Sequence, residues 1–143
     1  MNRQQLDGYC EYFESLTPAA LDRMEHYFSS GARFCDPFND VRGVPAIRNV
    51  FEHMFATTTE PRFEVSERIM EGEVAYLRWV FYFHPRGRGV EPWRIAGVSR
   101  VRFADDGRVA EHIDYWDPAE QLYSRLPLVG RLMHWLRRRF SAR

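Results

Sequence analysis

His112, Asp114 and Trp116 alternate with Glu111, Ile113 and Tyr115, so an extended strand here turns an imidazole, a carboxylate and an indole to one face. A carboxylate and an imidazole held side by side are the parts of an acid–base site. A second carboxylate, Asp36, stands in Phe34-Cys35-Asp36-Pro37-Phe38. In an aromatic, poorly hydrated pocket its pKa rises toward working pH, which suits a general base. An Asp before Pro equally well starts a turn over 37–40 by bonding its own backbone. His112 and Asp114 have a plain alternative as well: they satisfy buried polar groups, or they pair with Arg94 or Arg100 on the adjacent strand.

Other chemistries lack their residues. All 20 basic residues are Arg and none is Lys, which removes lysine Schiff bases, a P-loop lysine and a lysine general base. The histidines at 26, 53, 84, 112 and 134 show no HxxxH or HxH spacing, and two isolated cysteines cannot build a zinc site, so no metal is expected. Neither GxGxxG, GxxxxGK nor GxSxG occurs, leaving nucleotide binding and serine hydrolysis without support. The remaining enzymatic option is free of cofactors. Twenty acids balance the 20 arginines, which argues against a nucleic-acid partner.

The elements that must position these residues follow from periodicity. Leu6, Tyr9, Cys10 and Phe13 fall at helical spacing over residues 3–15. Thr17-Pro18 then opens a second helix with Leu21, Met24, Tyr27 and Phe28 on its apolar face and Gly31 at its end. Residues 33–38 alternate like a short strand, and a third helix from about Pro45 shows Ile47, Val50, Phe51, Met54 and Phe55 on one face. From Pro61 the period becomes two. Strands are predicted at 62–70, 73–84, 91–103 and 108–116, separated by Glu71-Gly72, the turn 85–89 and the turn 104–107. Helices first and an antiparallel meander afterwards define an α+β fold, a cone-shaped curved antiparallel sheet packed on three N-terminal helices. The chain is the size of one domain.

On these residues the chain resembles a known family. The order of elements, Phe34-Cys-Asp-Pro-Phe38 ahead of Gly43 and a helix, Gly97-Val-Ser-Arg-Val-Arg-Phe103, Asp106-Gly107-Arg108-Val109 and Tyr115-Trp116-Asp117 look like the nuclear transport factor 2-like superfamily. That group includes ketosteroid isomerase and the SnoaL-like polyketide cyclases, and the likeness spans residues 5–120. The resemblance implies Asp36 as general base and Tyr12 as an oxyanion donor. It puts Ser99 where ketosteroid isomerase carries a neutral aspartic acid; a hydroxyl donates more weakly. It turns Trp116 into the pocket together with Asp114 and His112, as auxiliary acid–base groups. Asp114 also corresponds to a catalytic aspartate of limonene epoxide hydrolase, but the Arg-x-Asp triplet that partners it there is absent. The implied activity is that of an isomerase or cyclase acting on an apolar carbonyl compound. The competing reading is a non-catalytic domain that binds an apolar small molecule or another protein.

Trp79, Phe81 and Phe83 alternate on one strand, and Trp93, Ile95, Gly97 and Ser99 on the next; with Phe51 and Phe55 they line an apolar pocket or fill a core. Relatives often dimerise through the outer sheet face, so a homodimer is expected. Residues 1–124 form the domain, and 125–143 a basic amphipathic helix with six Arg and no acid. Such a helix buries its stripe on its own domain or a mate, or lies on an anionic membrane surface or on an acidic partner. The first 15 residues lack a signal-peptide core, which reads as a cytoplasmic protein with Cys10 and Cys35 reduced.

Overall fold

The computed structural model describes residues 2–86 and 91–142. Helix α1 (Arg3–Glu14) opens on a capping box, with the Asn2 side chain accepting from Gln5 N and the Gln5 side chain accepting from Asn2 N. A 3₁₀ helix (Ala19–His26) follows, then strand β1 (Phe28–Cys35), the short strand β2 (Asp40–Arg42) and helix α2 (Val44–Thr57). Strands β3 (Thr58–Glu71), β4 (Val74–Pro85), β5 (Trp93–Phe103) and β6 (Val109–Tyr115) form the meander. Helix α3 (Pro118–Gln121), a 3₁₀ turn (Tyr123–Arg125) and helix α4 (Pro127–Phe140) complete the chain. Of the expected turn at 85–89, residues 87–89 lie outside the described residues.

The six strands run β2-β1-β6-β5-β4-β3 in one curled sheet. Every pairing is antiparallel except that of β1 with β6, which is parallel. Its concave face closes on α1, the 3₁₀ helix and α2 around Leu6, Tyr9, Met24, Phe28, Ile47 and Val101. The sequence expectation fails at the second helix. That segment is 3₁₀ and ends at His26, and Gly31 lies inside β1 rather than at a helix end. The cause is tertiary: Val109 N donates to Tyr27 O at 2.7 Å and Phe28 pairs with Val109, so β6 takes up backbone that helical periodicity alone would extend.

Three aspects of this frame position the site. β6 lies between β1 and β5, with Phe34 opposite His112 on one side and Ser99 opposite Asp114 on the other. β4 sets Trp79 opposite Gly97. Arg33 clamps Asp40 through two hydrogen bonds of 2.8 and 2.9 Å, fixing the β1–β2 hairpin that carries Asp36. The convex face is left with Ile69, Tyr76, Val98 and Tyr115 exposed.

Candidate functional site

Among the described residues, Ser99 and His112 are the polar residues buried in the core, 1% and 6% exposed. Burying them requires partners, and the partners form a single chain across three strands and a helix. The Trp79 Nε1–H donates to Ser99 Oγ at 2.7 Å, and the Ser99 hydroxyl donates to Asp114 Oδ1. An indole nitrogen can only donate, so it dictates the direction of the next bond. His112 Nε2 lies 2.7 Å from the same Asp114 Oδ1, and His112 Nδ1 lies 2.7 Å from the Tyr9 hydroxyl. An ionised carboxylate only accepts, so Nε2 carries the proton of that bond, and the Tyr9 hydroxyl, which has no other acceptor among the described residues, donates to Nδ1. Burial, followed by the nearby Asp114 charge, holds the Tyr9 phenol well above its usual range, which keeps it a donor.

Asp114 Oδ2 makes no hydrogen bond among the described residues and is not an enclosed, unsatisfied atom. It faces a narrow chamber of about 60 Å³ walled by Phe13, Phe34, Phe51, Phe63, Leu77 and Trp79. The chamber opens into a wider mouth of about 300 Å³ whose walls add Asp36, His53, Phe81, Trp116 and Leu122. His112 stacks on Phe34 with ring centroids 5.0 Å apart. A carboxylate oxygen free at the floor of an aromatic cavity can take a proton from a bound molecule, or hold a positively charged one.

The sequence-predicted residues divide. Asp114, His112 and Ser99 meet, as do the wall residues Trp79, Phe81, Phe51 and Trp116. Tyr12 is placed elsewhere: its hydroxyl donates to Ala20 O at 2.9 Å and its ring stacks on Tyr27 at 4.0 Å, so it points at the 3₁₀ helix and not into the cavity. Burial pushes its phenol up to about 12. Trp93 packs on Phe83 and under Arg125, and Phe55 lies against the core; neither lines the cavity. Asp36 lines the mouth, but its Oδ1 accepts from Phe38 N at 2.8 Å and Asn39 N at 2.7 Å, and the Asn39 amide nitrogen spans both its oxygens. This is the turn-forming geometry of an Asp before Pro. Arg100 pairs with Glu111 on the convex side, so it does not reach Asp114.

Tyr9 is the site residue that sequence reasoning missed. Helical spacing places it only in the apolar stripe of α1, yet a phenol on a buried stripe needs a hydrogen-bond partner. Cys10 also borders the chamber, and burial, its largest influence, pushes its thiol from an ordinary 9.0 up to about 11. The folded chain thus holds this proton when the unfolded chain has lost it. The buried thiol's contribution is whole below pH 9 and is lost as the pH rises toward 11. In urea titrations over that window, Cys10→Ala should flatten the alkaline loss of stability relative to wild type; an unchanged slope would assign the loss to other groups.

A curled sheet closed by helices over an acid-bearing aromatic chamber defines the class of cone-shaped domains expected from the sequence. Residues 10–112 match the SnoaL-like domain family, and the chain belongs to that family. No curated protein matches it. Among solved structures, it is similar to a ketosteroid isomerase-fold protein from Catenulispora acidiphila DSM 44928 in complex with trimethylamine. The identity is 14% and the TM-score 0.71, over 85% of this chain and 92% of that one. TsrD from Streptomyces laurentii is 19% identical with a TM-score of 0.68, over 85% and 97%. A protein from Shewanella putrefaciens CN-32, provisionally named a SnoaL-like polyketide cyclase, is 18% identical with a TM-score of 0.70, over 85% and 98%. At these identities the likeness establishes the fold, and one fold hosts many activities.

Proposed function

We propose that this chain is a cofactor-independent acid–base enzyme of ketosteroid isomerase-like or SnoaL-like type, acting on an apolar carbonyl compound held in the aromatic chamber. The observation that supports this reading is the split of Asp114: Oδ1 is held by Ser99 and His112, while Oδ2 is left to the cavity. Oδ2 takes a proton from the carbon beside the carbonyl, and the electron pair of that C–H bond moves into the carbonyl to give an enolate. The protonated carboxyl then returns the proton to a different carbon. Ser99 and His112 hold the carboxylate plane still, and Tyr9 keeps His112 in the tautomer that donates to it. At the mouth, His53 on α2 lines the wall and is the candidate donor to the enolate oxygen. Asp36 shapes the mouth through its turn.

The test is proton exchange. Cavity-sized apolar enones, steroid and polyketide in type, are incubated with the protein in deuterated buffer and followed by NMR. Deuterium should enter beside the carbonyl faster than in buffer alone, and Asp114→Asn should abolish the gain. A second reading, ligand binding without turnover, draws on one observation: the inner donors Trp79, Ser99 and Tyr9 are all engaged within the protein. Tryptophan quenching by the enones with no exchange in wild type would favour it.

The pairing of two copies through the convex sheet face belongs to the same proposal and is supported by the exposed Ile69, Tyr76, Val98 and Tyr115. Light scattering should give twice the chain mass for wild type and a monomer for Tyr76→Glu; a wild-type monomer would remove this element.

A further inference from the structure

Helix α4 lies outside the family match and buries only Gly130 of its 14 residues. It seats on the preceding turn, where a Cβ at Gly130 would fall 2.5 Å from Ser124 O. Met133 and Leu136 are half-buried beside Asp117, Ala119 and Glu120. On the remaining apolar side, Leu128, Leu132 and Trp135 are 80%, 53% and 52% exposed. Their spacing of four and three residues sets them in one stripe. Arg131 and Arg138 flank that stripe, and Arg139 continues it one turn beyond Trp135. Among the described residues no carboxylate pairs with Arg131, Arg137, Arg138 or Arg139. From residue 121 to 143 the sequence has no acid.

We propose that α4 is a docking helix for an anionic membrane surface, lying flat with Leu128, Leu132 and Trp135 in the headgroup boundary and its arginines on lipid phosphates. Charge complementarity decides the occupant. A second copy of the stripe would bring one set of arginines against another and bury Arg139 without a partner, at a desolvation cost. At a bilayer the same guanidinium extends along its stem to a phosphate, which it meets with two parallel N–H donors. Trp favours that boundary, with an apolar body in the lipid and its N–H at the wet side. No helix among the described residues is long and apolar enough to cross a membrane, so the contact is peripheral.

Sedimentation of the full chain with vesicles tests this. The chain should co-sediment with phosphatidylcholine vesicles containing phosphatidylglycerol, shift Trp135 emission to the blue, and release at high salt. It should leave vesicles of phosphatidylcholine alone mostly unbound. Leu132→Ser with Trp135→Ser, and separately Arg137→Gln with Arg138→Gln and Arg139→Gln, should each weaken binding roughly tenfold or more. All five positions are exposed or nearly so, and an unchanged thermal midpoint confirms that the variants are folded. Equal partitioning of wild type and both variants would overturn the proposal. So would absence of vesicle binding alongside a fall in solution mass on Leu132→Ser with Trp135→Ser, which would give the stripe to a second copy.

Discussion

Asp114→Asn should lower the rate of enone proton exchange by about 10²–10⁴-fold while leaving enone binding within a few-fold of wild type. The amide keeps one function of the carboxylate and loses the other. Its carbonyl oxygen can still accept from Ser99 and His112, so the chain from Trp79 to Tyr9 survives. Its nitrogen takes the place of Oδ2, the atom facing the chamber, and an amide nitrogen cannot take a proton near neutrality. The fair comparison is Asp36→Asn. Asn supports the same backbone-bonded turn over Phe38 and Asn39, so its rate should stay within a few-fold of wild type. Stopped-flow or NMR rates on the two variants separate them. A large loss in Asp36→Asn with near-normal Asp114→Asn would move the base to the mouth. Comparable small losses in both would leave the cavity a binding site.

Gly97→Ala is expected to destabilise the fold by about 1–3 kcal/mol, the usual cost of forcing a methyl into a filled space. The added Cβ would stand 2.5 and 2.7 Å from two ring carbons of Trp79 and 3.0 Å from Tyr115 O. The backbone oxygen cannot swing away, and the indole is tethered at Nε1 to Ser99. Relief therefore requires Trp79 to move, which breaks that bond and loosens the hydroxyl that holds Asp114. Thermal unfolding should show a lowered midpoint, and the indole N–H resonance of Trp79 should shift toward its solvent-exposed position. A variant with wild-type midpoint and an unmoved resonance would mean that the ring has slack.

Much of this arrangement was legible in the residues. Period two in β6 put His112, Asp114 and Trp116 on one face, and they share it. The strands of the meander fall within a few residues of their predicted limits, because alternation and turn residues are local signals. What was not legible depends on contacts distant in the chain. The 3₁₀ helix ends early because β6 captures Tyr27 and Phe28 from more than 80 residues away. Tyr12 and Tyr9 lie one turn apart on α1, and only the seating of that helix decides which hydroxyl meets His112. The resemblance pointed to Tyr12, whereas the packing gives the contact to Tyr9. Asp36 carries both readings in the residues alone, and its hydrogen bonds with Phe38 and Asn39 are those of the turn. The resemblance implies Ser99 as a donor to a ligand, whereas its proton goes to Asp114.

The side chain of Gln121 bonds both backbone groups of Ala96, accepting from its N–H at 2.7 Å and donating to its C=O at 2.9 Å. β6 leaves β5 at the pair of Val98 with Tyr115, so β5 would otherwise present a bare edge before that point. Unpaired strand edges recruit strands from other molecules and seed aggregates. A single amide, shaped like the peptide group it replaces, stands in for the missing strand and so acts as a guard against misassembly as well as a fastening for the segment that follows it.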